Sequence, residues 1–324
     1  MDYITKNKKL LGIIENLKEI SNSDTNILLT GESGTGKTFL AKEIYKNSQV
    51  KNKNLIIVNC ASIPENLFES ELFGYKKGAF TDAKGDREGL IEAANNGTIV
   101  FDEIGDMPMS MQAKLLDLIQ EKKFRRVGDN KYKEANVRII SATNKDLLEE
   151  IRVKKFREDL FYRIGILSFN IIPLRERKED IPLLIDFFIL KYSTKYNKSI
   201  EGIDKNTLDS LIEYSWPGNV RELEGVIEKA VLLEKRGILT NFNLPIHLKK
   251  ISSNIYFNET IKHSFVNQFL ISENEEEFPT LSDVENEYIK KIYSLVKGNK
   301  LKTSKILNID RKTLYKKLKD LKIE

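Results

Sequence analysis

The chain has 324 residues, 40% of them hydrophobic and 31% charged, with a net charge of +5. That apolar fraction supports a packed core, and the length fits two or three domains. One Cys and two His exclude a disulfide framework, a Cys-rich zinc site and His-based metal catalysis. No run approaches the ~20 apolar residues of a membrane span. The N-terminus places Glu15 and Lys18 where a signal peptide would be apolar, which points to a soluble, cytoplasmic protein.

The first half alternates strand and helix patterns. Short β-branched runs stand at 26–30 (NILLT), 55–59 (LIIVN), 98–101 (TIVF) and 137–141 (VRIIS), with helical patterns such as 39–47 and 111–121 between them. This alternation predicts an α/β domain over 1–173, a parallel sheet with helices on both faces. Past Pro173 the strand patterns stop. Helices are predicted over 181–196, 205–214 and 220–235, making a smaller all-helical unit at 174–248. The polar stretch 249–280, with its acidic run at 273–277, reads as a linker. Three short helices are expected in 281–324.

Charge is unevenly placed. From Lys297 to Glu324 there are ten basic and three acidic side chains, so this tail is +7 and the rest about −2. A basic tail on a near-neutral body suits a polyanionic partner; a solvated lysine-rich helix is the plainer alternative.

Gly31-Glu32-Ser33-Gly34-Thr35-Gly36-Lys37-Thr38 fits the phosphate-loop pattern G-x-x-x-x-G-K-[ST], directly after one predicted strand and before a helix. Glycines let backbone N–H groups wrap phosphates, and the helix N-terminus adds its dipole. Lys37 would reach the β/γ-phosphates and the Thr38 hydroxyl would hold Mg²⁺. The strand at 98–101 ends in Asp102 and Glu103. Asp102 would complete the Mg²⁺ site and Glu103 would polarise the attacking water, so the pair of motifs predicts nucleotide hydrolysis.

The loop Glu69-Ser70-Glu71-Leu72-Phe73-Gly74-Tyr75-Lys76-Lys77-Gly78-Ala79-Phe80-Thr81-Asp82-Ala83 closely resembles the signature of bacterial enhancer-binding proteins. These are AAA+ ATPases that activate sigma-54 RNA polymerase. Val58-Asn59-Cys60, the stretch from Phe156 to Arg163 (FREDLFYR), the stretch from Pro173 to Ile181 (PLRERKEDI) and the stretch from Trp216 to Leu223 (WPGNVREL) match in the same order. The resemblance implies an AAA+ P-loop NTPase with a helical lid, followed by a Fis-type helix-turn-helix.

That resemblance assigns further roles. Asn59 aligns with the switch asparagine that holds Glu103, and Asn144, beside Thr143, with the sensor of the γ-phosphate. Arg157 and Arg163 align with arginines given to a neighbour's nucleotide, which implies a ring, hexameric by analogy. Arg221 aligns with the second sensor, on the lid. Gly78, Ala79, Phe80, Thr81, Asp82 and Ala83 form the expected sigma-54 contact, where Asp82 replaces the usual glycine. Glycine permits positive φ, and Asp is among the few residues that tolerate it.

At the C-terminus a first helix over 285–297 breaks at Gly298, a second spans 302–307, and a turn leads into 311–321. Ile306, Leu307, Ile309, Leu314 and Leu318 are spaced to pack a three-helix core. Arg311, Lys312, Thr313, Tyr315, Lys316 and Lys317 are left to face double-stranded DNA. Such domains bind palindromic sites as dimers, with the first helix as the expected interface. The expected function is therefore a sigma-54-dependent activator that binds upstream DNA and remodels the closed polymerase complex with ATP. A regulator of the same ancestry that no longer contacts sigma-54 is the alternative, because of Asp82. The phosphate loop starts at residue 31, which leaves no room ahead of it for a sensory domain in this sequence.

Overall fold

The computed structural model describes residues 3–51, 53–235, 237–240, 244–245, 280–296 and 298–321. It divides into two compact units, 1–250 and 251–324. The predicted linker lies almost wholly outside the described residues.

In the first unit, helix α1 (Lys8–Ile20) precedes β1 (Ile27–Thr30) and α2 (Lys37–Lys46). Then come β2 (Leu55–Asn59), α3 (Glu65–Phe73), the short hairpin β3 (Gly74–Tyr75) and β4 (Arg87–Glu88), α4 (Leu90–Ala93) and β5 (Thr98–Asp102). Helix α5 (Met109–Glu121), a second hairpin of β6 (Lys123–Phe124) and β7 (Lys133–Glu134), and β8 (Arg138–Thr143) follow. Helices α6 (Leu147–Arg152) and α7 (Glu158–Ile164) lead to β9 (Leu167–Asn170).

Five of these strands form one parallel sheet in the order β2-β5-β8-β1-β9. Side chains alternate across it, as the two-residue period requires. Ile27, Leu29, Val100, Ile140 and Ala142 pack on α1 and α2. Leu28, Ile99, Phe101 and Ile139 face the opposite way, onto α3, α5 and α7. The parallel sheet is thus covered on both faces, as expected. Sequence periodicity missed β9, whose residues are alternately half-buried and exposed at the sheet edge.

The lid comprises α8 (Ile181–Tyr196), α9 (Lys205–Glu213) and α10 (Asn219–Leu233), packed around fully buried Trp216. One expectation is corrected here: strands do not stop at Pro173. Two-residue strands β10 (Gly202–Ile203) and β11 (Ile238–Leu239) pair in parallel. Strands that short carry no periodic signal. Among the described residues, no helix is long and apolar enough to cross a membrane.

In the second unit, helices Leu281–Leu295, Lys300–Leu307 and Arg311–Asp320 enclose a small core of Ile289, Leu314 and Leu318, with Leu307 and Ile309 against it. Ile306, expected in that core, is 51% exposed. Buried Thr303 and Ser304 set the inner face of its helix, and Ile306 falls outside that face.

Candidate active site

The strands carry their chemistry at one end. Parallel order puts the C-terminal ends of β1, β2, β5 and β8 along a single edge, where crevices form in open α/β sheets. Asn59 and Asp102 are register partners on β2 and β5. The phosphate loop leaves β1, and Thr143-Asn144 ends β8.

A cleft of about 380 Å³ opens above this edge, lined by Gly34 to Thr38, Asp102, Glu103 and Arg221. The lining also includes the apolar side chains of Ile4, Phe39, Leu184, Phe187 and Phe188, with the Lys191–Glu224 ion pair among the lid residues. No side chain caps α2 at Gly36, so its first-turn amides remain for an anion. Lys37 is 5% exposed, and its Nζ donates to the carbonyls of Gly31 (2.7 Å) and Glu32 (3.0 Å). Burial lowers its pKa, with Glu103 and Asp102 opposing.

Thr38 Oγ1 donates to Asp102 Oδ2 at 2.8 Å. A hydroxyl and a carboxylate in contact beside a phosphate loop are the hard-oxygen donors that Mg²⁺ accepts while keeping several waters. The residues fit that ion. Glu103 follows Asp102 with φ 52, a left-handed backbone rarely taken by a non-glycine residue. Its Oε2 accepts the backbone N–H of Asn144 at 3.0 Å.

Several sequence-predicted residues sit elsewhere. Asn59 Oδ1 accepts the N–H of Ala61, so the structure pairs Glu103 with Asn144 rather than with Asn59. Arg157 is held in a two-bond pair with Asp159, and Arg163 is exposed; neither lines the cleft of its own chain. Arg221 Nη1 donates to Ser33 Oγ at 3.0 Å, joining lid to phosphate loop. Cys60 is buried, and burial raises its thiol pKa above the usual range, an unreactive setting.

Sequence reasoning missed the rest of the cleft wall. Tyr3 donates its hydroxyl to Thr35 O (2.9 Å) and accepts from Arg177 Nη1 (3.2 Å), while Arg177 Nη2 reaches the same carbonyl (2.9 Å). Arg177 belongs to the Pro173 to Ile181 motif, a signal that could have flagged it. Tyr3 and Ile4 had none.

The 78–83 loop rises from the β3–β4 hairpin. Its left-handed residue is Gly78 (φ 83); Asp82 has no positive φ, so aspartate strains nothing there. Gly78 N–H donates to Ala83 O, and Phe80, 43% exposed, sits edge-on to Tyr75 with ring centroids 4.8 Å apart. Asp82 itself is exposed.

In the second unit, Asn308 turns in αL (φ 51) and Asp310 caps the helix Arg311–Asp320 through the N–H of Lys312. Arg311, Lys312, Thr313, Tyr315 and Lys316 are exposed. Lys300 Nζ lies 4.4 Å from the Tyr315 ring centroid. Lys317 differs from the expectation: it is half-buried and paired with Glu285 at 2.6 Å.

Residues 3–170 match the family described as "Sigma-54 interaction domain". The chain belongs to that family. Residues 175–255 match an AAA+ ATPase lid domain, and 280–321 match "Bacterial regulatory protein, Fis family". This sigma-54 family member thus joins an ATP-binding AAA+ ATPase module to a DNA-binding helix-turn-helix. It is 39% identical to the regulatory protein AtoC of Escherichia coli, over 99% of this chain and 68% of that protein. It is 42% identical to a signal-transduction and transcriptional-control protein of Clostridium beijerinckii, over 100% of this chain and 49% of that one. The chain therefore spans about two thirds of the first relative and about half of the second. NtrX from Brucella abortus, solved in complex with ATP, superposes with a TM-score of 0.70 at 27% identity, covering 99% of this chain and 69% of that one.

Proposed function

We propose that this chain hydrolyses ATP in the cleft between sheet and lid and uses the cycle to drive the 78–83 loop against sigma-54 polymerase, from a DNA site held by its C-terminal helices. The observation that carries the reading is the convergence of Lys37, Thr38, Asp102 and Glu103 on one cleft.

Thr38 and Asp102 would hold Mg²⁺, which when bound offsets charge on the phosphates. Lys37 swings from its loop carbonyls to the β/γ-phosphates. Glu103 orients and polarises the attacking water, kept in place by the Asn144 amide. The apolar side chains of the lining, Phe39, Leu184 and Phe187 among them, would pack on the nucleotide's base. Neither Arg157 nor Arg163 lines the cleft of its own chain, which suits a ring in which each would complete a neighbouring chain's site. Arg221 carries the state of the phosphate loop to the lid.

A regulator that has left sigma-54 behind is less well supported, because Asp82 fits the loop backbone without strain. The test is ATP-dependent open-complex formation by sigma-54 polymerase on a −24/−12 promoter. The wild type should melt the promoter and Glu103→Ala should not. ATP turnover without melting, restored to melting by Asp82→Gly, would favour the regulator instead.

A further inference from the structure

The phosphate-loop pattern leaves Glu32 unspecified, yet its side chain is among the most constrained in the loop. Arg175 donates to both carboxylate oxygens, at 2.6 and 2.7 Å. Asn219 Nδ2 donates to Oε2 at 3.1 Å and to Ser33 O at 3.0 Å. Asn219 is fully buried at the start of α10, has φ 52, and accepts the N–H of Leu174 through Oδ1 at 2.8 Å. It therefore bonds three segments at once: the loop, the strand-to-lid connection and the lid.

The backbone repeats the link. No side chain caps α10; the N–H groups of Val220 and Arg221 donate instead to the Gly34 carbonyl, at 3.0 and 3.3 Å. The phosphate loop thus serves as the N-cap of the lid helix. Glu32 also presents its own carbonyl to Lys37 Nζ. The lid-side grip on the carboxylate and the seat of the phosphate-binding lysine belong to one residue.

A carboxylate beside a polyanion site repels the ligand unless a fixed cation neutralises it and turns it away. Arg175 does both, through a two-bond geometry that a lysine cannot reproduce. None of Glu32, Arg175 and Asn219 lines the cleft, so none touches the reacting atoms. Their influence falls equally on bound substrate and transition state, which alters KM and leaves kcat.

We infer that Glu32, Arg175 and Asn219 form a positioning junction that holds the phosphate loop from the lid side and sets nucleotide affinity. The inference rests on the proposed reading of the cleft as an ATP site. Glu32 and Arg175 are about 42% exposed, so breaking their pair leaves the fold intact.

The experiment uses the full chain and measures ATPase kinetics and ADP titration for Glu32→Gln, Arg175→Ala, the double variant and Arg175→Lys. KM for ATP and Kd for ADP should rise about tenfold in Arg175→Ala, which leaves the carboxylate unneutralised, within the range of site-to-site coupling. The rise should be smaller in Glu32→Gln, which weakens the anchor but also removes the repelling charge, with kcat changed less than about twofold in both. The double variant should be no worse than the worse single, since both remove one contact. Arg175→Lys should restore part of the affinity. Unchanged KM and Kd in both single variants, with the wild type binding normally, overturns the junction alone. A fall in kcat matching the fall in kcat/KM overturns it too, by placing these residues in the transition state. A wild type that binds neither nucleotide removes the reading of the cleft, and the junction with it.

Discussion

The Glu103 carboxylate accepts the backbone N–H of Asn144, so the end of β5 is fastened to the end of β8. Because a main-chain group supplies the bond, truncating the Asn144 side chain leaves this anchor in place. Glu103→Gln keeps an acceptor and loses the basic oxygen. It should bind ADP like the wild type and turn over ATP about 10²- to 10⁴-fold more slowly. Phosphate release read beside a nucleotide titration checks both halves; equal loss of binding and turnover would argue for a structural role.

Trp216 is the largest fully buried side chain, and its Nε1 donates to Leu211 O at 2.8 Å. Trp216→Ala opens a cavity in the lid core and should cost about 3–5 kcal/mol. The thermal midpoint by circular dichroism reads it out, and a shift below ~2 °C would contradict the packing described.

Acid should loosen the lid late. Arg175, then Asn219, hold the Glu32 pKa down at about 2, against an ordinary value of 4.5. The folded-state pKa is depressed, so the stability this group contributes is full above 4.5 and lost as pH falls through about 2. In Arg175→Ala the main cause of the depression is gone, so this acid-sensitive contribution should shrink and the variant should lose less stability than the wild type between pH 4.5 and about 2. Fluorescence of Trp216, the sole tryptophan, reports the lid during titration. Identical acid profiles for the two proteins would contradict the assignment.

DNA binding should weaken steeply with salt, because phosphate contacts dominate such interfaces. Exposed Lys316→Ala should lower the slope of log K against log salt by about 1. Lys317→Ala should change it less, since Glu285 already neutralises that lysine. Equal slopes for the two variants would show that the Glu285 pair opens on DNA.

Phe80→Ala should separate hydrolysis from output. The ring is exposed at the loop, and its intramolecular contact is with Tyr75, far from the phosphate-binding residues in the chain. ATPase rate should stay within about twofold of wild type, while open-complex formation is lost. An equal fall in both would place Phe80 in the structure of the ATPase domain.

The buried strands and the phosphate loop were legible in the sequence because their signals are local. β5 and β8 are apolar runs, and Gly31 to Thr38 carries its whole pattern in eight positions. β9 was not legible, since half its residues face water. The apolar part of the cleft lining was hidden for another reason. Ile4, Phe39 and Phe187 come from the N-terminal segment, the loop helix and the lid, and only the fold makes them neighbours. The Asn59 assignment to Glu103 came from resemblance, and the local bond from Asn59 to Ala61 competes with it.

Gly34 has φ 77, and a Cβ built there would stand 2.3 Å from the Gly218 carbonyl oxygen. Any side chain at this position collides with the lid before a nucleotide is considered. A position usually valued for closeness to phosphate is therefore under a second, unrelated demand. Laboratory evolution for altered nucleotide preference would find this glycine closed to change, and its workable routes would lie among the apolar residues of the cleft lining.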